Sequence, residues 1–122
     1  MRTVLFVDDS SDLCQVMELM CQSLPDVECV CVTSMSAALE RAAQVLQTAL
    51  AILDVNLGNG EPSGVEIYHW LKRQNYRGKI VFLSGHARTD PLVEDAAKIS
   101  GVDFFQKPLG FDQLETLILG TA

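Results

Sequence analysis

Short apolar runs alternate with amphipathic stretches along the whole chain. Arg2 to Val7 (RTVLFV), Val27 to Val32, Thr48 to Asp54, Lys79 to Leu83 and Val102 to Gln106 are compact and rich in β-branched or aromatic residues, which predicts five strands. Between them the apolar residues recur at helical intervals. Leu13, Val16, Met17, Met20 and Leu24 form one such series, closed by Pro25-Asp26. A second runs from a cap at Ser34 or Ser36 to about Gln47, with Ala37, Ala38, Leu39, Ala42 and Leu46 as its inner face. Ser63-Gly64 opens a third, carrying Val65, Tyr68 and Leu71 and closed by Asn75 and Gly78. Asp90-Pro91 opens a fourth, which runs to Ser100 with Gly101 as its cap, and Phe111 to Leu119 is the fifth.

Strict alternation with short connections implies a parallel sheet covered on both faces, because each right-handed crossover lays its helix back over the sheet. The expected fold is α/β: a single doubly wound, flavodoxin-like sheet of five strands in the order 2-1-3-4-5, flanked by five helices. The 122 residues fit one domain, 1–122, with no linker, repeat or low-complexity segment.

Composition narrows the functions open to it. A net charge of −7 with only nine scattered basic residues argues against contact with a nucleic-acid backbone. No apolar run approaches the roughly 20 residues that span a bilayer, and the N-terminus turns acidic too early for a signal peptide, so a cytoplasmic protein is expected. Cys14 and Cys21 lie roughly 10 Å apart along a predicted helix, too far to ligate one ion together. With Cys29 and Cys31, which share a strand face, they are read as buried small hydrophobes in a reducing compartment.

Chemistry concentrates where the strands end. Asp8 and Asp9 follow the first strand, Asp54 ends the third, Ser84 follows the fourth and Lys107 the fifth, and in an open parallel sheet these positions face one crevice. Three crowded carboxylates stay ionised only when a cation joins them, and hard oxygen ligands point to Mg2+ on Asp8, Asp9 and Asp54, with a carbonyl from Asn56. Lys107 and Ser84 add an ammonium and a hydroxyl suited to phosphoryl oxygens, and Asp54 is placed to act as nucleophile, giving an acyl phosphate without a histidine base.

The acidic pair in LFVDDS, the lone aspartate in AILDVN, the hydroxyl in VFLSGHA and Lys-Pro in FFQKP resemble the receiver domains of two-component response regulators, from Thr3 to Leu119. The resemblance implies that Asp54 takes its phosphoryl group from a sensor histidine kinase or a histidine phosphotransfer protein. It also implies a cis bond before Pro108, movement of Ser84 toward the phosphoryl group and inward turning of Phe104. The signal would leave through predicted helix four, strand five and helix five, to an output domain, an effector protein or a second copy. His86 lies at the crevice rim, where the family varies and tunes phosphoryl lifetime. Two features depart from the pattern. The NLGNGEPSG loop is longer than the common Met-Pro-x-x-Asp-Gly form, and Phe104 lacks the hydroxyl of a tyrosine at that place.

A signalling phosphoacceptor is therefore expected rather than an enzyme acting on a separate metabolite. One rival is an aspartyl-nucleophile phosphatase, whose general acid two residues after the nucleophile is replaced here by Asn56. The other is a receiver-like binding module that works without phosphorylation.

Overall fold

The computed structural model describes residues 2–58, 60–85, 91–99 and 101–121, with only the backbone of Leu92 and Val93. His86, Asp90 and Ser100, singled out above, lie outside the described residues.

Five parallel strands, β1 (Arg2–Val7), β2 (Val27–Val32), β3 (Leu50–Asp54), β4 (Lys79–Ser84) and β5 (Asp103–Gln106), form one sheet in the order β2-β1-β3-β4-β5. Central β3 is buried throughout, as a strand covered on both faces must be. The helices are α1 (Ser11–Gln22), α2 (Met35–Glu40), α3 (Ala42–Leu46), α4 (Gly64–Arg73), α5 (Pro91–Ala97) and α6 (Phe111–Leu119). Two cores result. Helices α1 and α6 cover Val4, Phe6, Leu50, Ile52, Val81 and Leu83 on one face of the sheet. On the other, α2 to α5 cover Leu5, Val7, Ala51, Leu53, Ile80 and Phe82. Among the described residues no helix is long and apolar enough to cross a membrane.

Among the described residues six helices stand where five were expected, because the second breaks at Arg41, with φ −112° and ψ 27°. There the Arg41 N–H bonds to Ala38 O, one residue short of helical spacing, while its guanidinium donates to Cys31 O at 3.3 Å and to Gln44 Oε1 at 2.9 Å. The break re-aims the inner face: Ala38 and Val45 are buried, and Leu39 points to solvent.

The inner face of α1 also differs from its expected stripe. Cys14, Met17 and Cys21 are buried, whereas Val16 is 49% exposed. Leu13, Met20 and Leu24 of the expected stripe pack against this core, Cys14 and Cys21 are buried as small hydrophobes are expected to be, and of the series only Val16 leaves the inner face. Local capping follows the sequence more closely. Ser10 Oγ accepts the Leu13 N–H, Ser34 Oγ the Ala37 N–H, and Ser63 with Glu66 forms a reciprocal capping box at the start of α4.

Candidate functional site

Asp8 follows β1 and Asp54 ends β3, so their side chains meet at the C-terminal edge of the sheet. Both are almost completely buried, at 0% and 2% exposure, while Asp9 is exposed. Local hydrogen bonds hold their orientation. The Ser10 N–H donates to Asp8 Oδ1 at 2.9 Å, and the Asn56 N–H reaches Asp54 Oδ1 at 3.4 Å.

Lys107 crosses from the end of β5 to join them. Its ammonium lies 2.8 Å from Asp8 Oδ2 and 3.0 Å from Asp54 Oδ2, and the Lys107–Pro108 bond is cis. The contact to Asp8 is an ion pair without hydrogen-bond alignment, which leaves that buried oxygen lacking a directed donor. Burial lowers the affinity of Lys107 for its proton, but the two carboxylates outweigh it and raise the pKa above its ordinary value. Asp54 moves the other way from a normal ion-paired acid. Its burial, reinforced by the Asp8 charge, outweighs Lys107 and the Asn56 N–H, and its pKa is pushed up to about 6.

The donor set suits a divalent cation. One carboxylate oxygen each from Asp8, Asp9 and Asp54 lies within 4.8 Å of the others. With all three ionised, Lys107 cancels one negative charge and leaves two. A hard dication matches that charge and takes oxygen ligands, and Asp8 Oδ2, 2.8 Å from the Lys107 ammonium without a directed hydrogen bond, is one of the oxygens that could serve.

Ser84 is fully buried at the end of β4. In the sheet register Asp54 faces Leu83, so Ser84 stands one residue beyond it, and its carbonyl accepts the Lys107 N–H at 2.9 Å. Phe104 is paired with Phe82 and half-buried against the α2–α5 core, on the opposite face from Phe105. It stands apart from the acidic pocket.

The long loop after Asp54 has its own construction. Asn56 Oδ1 accepts the Gly58 N–H at 3.0 Å, forming a side-chain-closed turn. Gly58 and Gly60 have φ of 112° and 78°, a region that favours glycine. A Cβ on Gly58 would stand 3.8 Å from Asp9 Oδ2, so the loop packs beside the exposed acid.

Gly64 carries a role in the site beyond opening a helix. A Cβ there would fall inside contact distance of the Asp54 carbonyl oxygen, and the Gly64 N–H bonds to Val55 O at 2.9 Å. The start of α4 is thereby pressed against the backbone that carries Asp54. The sequence signal was the Ser63-Gly64 pair, but the contact itself arises only on folding.

A family model described as the response regulator receiver domain matches residues 4–119. No curated protein matches the chain significantly. Among solved structures, chemotaxis protein CheY4 of Vibrio cholerae is 23% identical, with TM-score 0.78, over 100% of this chain and 99% of that one. Response regulator protein TrrA of Thermotoga maritima, solved in complex with Mg(2+)-BeF, is 21% identical, with TM-score 0.75 and full coverage of both chains. A response regulator protein from Burkholderia pseudomallei, solved with a phosphorylated aspartic acid, calcium ion and citrate, is 18% identical, with TM-score 0.78, over 97% of this chain and 66% of that one. At these identities the likeness speaks to fold.

Proposed function

Because the chain belongs to the response regulator receiver domain family, we propose that it is a signalling phosphoacceptor that receives a phosphoryl group on Asp54. The observation that carries this reading is the single ammonium of Lys107 held 2.8 and 3.0 Å from the buried carboxylates of Asp8 and Asp54. A buried acid serving only as a turn cap needs no such arrangement.

In the proposed reaction an ionised Asp54 oxygen attacks the phosphorus of a phosphohistidine. The new oxygen–phosphorus bond forms as the phosphorus–nitrogen bond breaks, and the electron pair leaves with the imidazole. Lys107, already at Asp54 Oδ2, turns its ammonium to the phosphoryl oxygens. Ser84 moves its hydroxyl toward the same group, and Phe104 turns inward at β5. Asp8, Asp9, Asp54 and the Asn56 carbonyl are the residues proposed to hold Mg2+, which when bound supplies charge neutralisation at the phosphoryl oxygens. The donor is a sensor histidine kinase or phosphotransfer protein. The output surface is α5, β5 and α6, the elements expected as helix four, strand five and helix five. The TrrA complex with Mg(2+)-BeF and the phosphorylated aspartic acid of the Burkholderia protein support the reading by analogy of fold.

The test is incubation with Mg2+ and a small-molecule phosphodonor, followed by intact mass. One phosphoryl adduct is expected, lost in Asp54→Asn. No adduct in the native chain, or an undiminished one in the variant, would sink the reading. Release of free phosphate from varied phosphomonoesters far faster than adduct forms would select the phosphatase instead.

Lys107→Ala separates acceptance from transmission. The variant is expected to form the adduct while the phosphorylation-dependent shift of the β5 amide resonances disappears. A native-sized shift in the variant would remove Lys107 from the switch.

A further inference from the structure

The four cysteines, all reduced, converge where α1 packs on β2, the edge strand of the sheet. Cys29 Sγ and Cys31 Sγ are 3.4 Å apart, and both residues are half-buried rather than sealed in the core. Cys29 and Cys21 line an open groove of about 410 Å3 together with Glu18, Glu28 and Arg41. The receiver chemistry uses none of these thiols.

A disulfide between Cys29 and Cys31 does not fit the strand. Residues two apart on one face are separated by two rises, roughly 6.6 Å, whereas a disulfide draws its Cβ atoms to about 4 Å. An ion between the sulfurs is easier to place. With metal–sulfur bonds of about 2.3 Å, a linear bridge spans roughly 4.6 Å, so each sulfur need swing outward by well under an ångström, leaving the strand intact. Among the described residues no third histidine, cysteine or carboxylate ligand atom lies within 4.8 Å of both sulfurs, since the only cluster of that size is the acidic one. Zinc, which takes four ligands in structural sites, is therefore poorly served, and a soft monovalent ion content with two thiolates is favoured.

We propose that Cys29 and Cys31 form a two-coordinate site for a cuprous ion on the edge strand. Binding replaces the two thiol protons, which pass to solvent, and leaves a bis-thiolate complex with one net negative charge. Arg41 supplies the matching positive charge: its guanidinium lines the groove and donates to the Cys31 carbonyl at 3.3 Å. Glu18 and Glu28 at the same groove draw the incoming cation. Hydrogen bonding divides the pair: the contact with Cys29 holds the Cys31 thiol below its ordinary pKa, while the contacts with Cys21 and Cys31 hold Cys29 above its own, so Cys31 gives up its proton first and the bound ion must displace the second.

The reduced chain is mixed anaerobically with Cu(I) and bicinchoninate as a coloured competitor. The protein is expected to withdraw one equivalent, with loss of two titratable thiols and X-ray absorption reporting two sulfur neighbours on copper. The double variant Cys29→Ser, Cys31→Ser is expected to withdraw none, and Cys14→Ser to withdraw as much as the native chain. An unaltered dye signal with the native protein, or three or more sulfur neighbours in its absorption spectrum, would overturn the proposal without recourse to any variant. Equal retention of Zn2+ against the same competitor would overturn the choice of ion.

Discussion

Gly64→Ala is expected to lower stability by about 3 kcal/mol, the upper part of the range for forcing a methyl group into a packed site. The added Cβ meets backbone, the Asp54 carbonyl oxygen, so no side-chain rotation can make room. Relief requires the start of α4 to lift from the end of β3. That movement also strains the bond from the Gly64 N–H to Val55 O, worth about 1 kcal/mol where it is retained. Urea unfolding monitored by circular dichroism checks this through a lower midpoint at unchanged slope. A midpoint within error of the native protein would show that the junction is softer than its geometry indicates. Because the displaced atom belongs to Asp54, the same variant should accept phosphate more slowly even in its folded fraction.

Asp54→Asn should stabilise the metal-free protein at neutral pH by about 3 kcal/mol, with the gain vanishing in acid. The native carboxyl titrates near 6 rather than at its ordinary 3.8, so folding favours its protonated form. Below about pH 3.8 the group is protonated folded and unfolded alike and contributes no difference. Between the two values the folded chain holds the extra proton, and stability falls as pH rises through 6. Above that window the full cost of the buried charge is present. Asparagine carries no charge to desolvate and removes the repulsion from Asp8. Paired urea titrations at pH 4 and pH 8 without metal give the measurement: a gain at pH 8 that shrinks toward zero at pH 4. An equal difference at both values would assign the effect to packing. Added Mg2+ should narrow the gap at pH 8, since the cation stabilises only the chain with the complete carboxylate set.

Much of the site's layout was legible because a parallel sheet delivers the residues after its strands to one edge. Asp8, Asp54 and Lys107 are far apart in sequence, yet each directly follows or ends an apolar run, and periodicity alone locates them there. Their mutual geometry was not legible. That Asp8 is the buried acid and Asp9 the exposed one depends on which of two neighbours points inward, and both end the same apolar run. Along α1 the helical series locates buried Met17 and the partly buried Leu13, Met20 and Leu24, and the small apolar character of cysteine locates Cys14 and Cys21; of that series Val16 alone turns to solvent. The break at Arg41 was hidden as well, since its cause is a guanidinium reaching a carbonyl on β2, a contact made only after the helix has docked. The Gly64 contact belongs to the same class, a steric fit between elements that no local spacing encodes.

Lys107 also has a mechanical consequence. Strand β5 is short, only Asp103 to Gln106, has a single neighbour in the sheet, and its two phenylalanines are only half-buried. The ion pairs from Lys107 to Asp8 and Asp54 reach past β4 and fasten this outer strand to the ends of β1 and β3. Any ligand that draws the ammonium away from Asp8 and Asp54 loosens that fastening at its anchored end. The edge of the sheet then has a lower free energy of local opening than its centre, and its amides exchange with solvent before those of β1 and β3. Charge in the pocket and protection of β5 are thus two readings of one equilibrium.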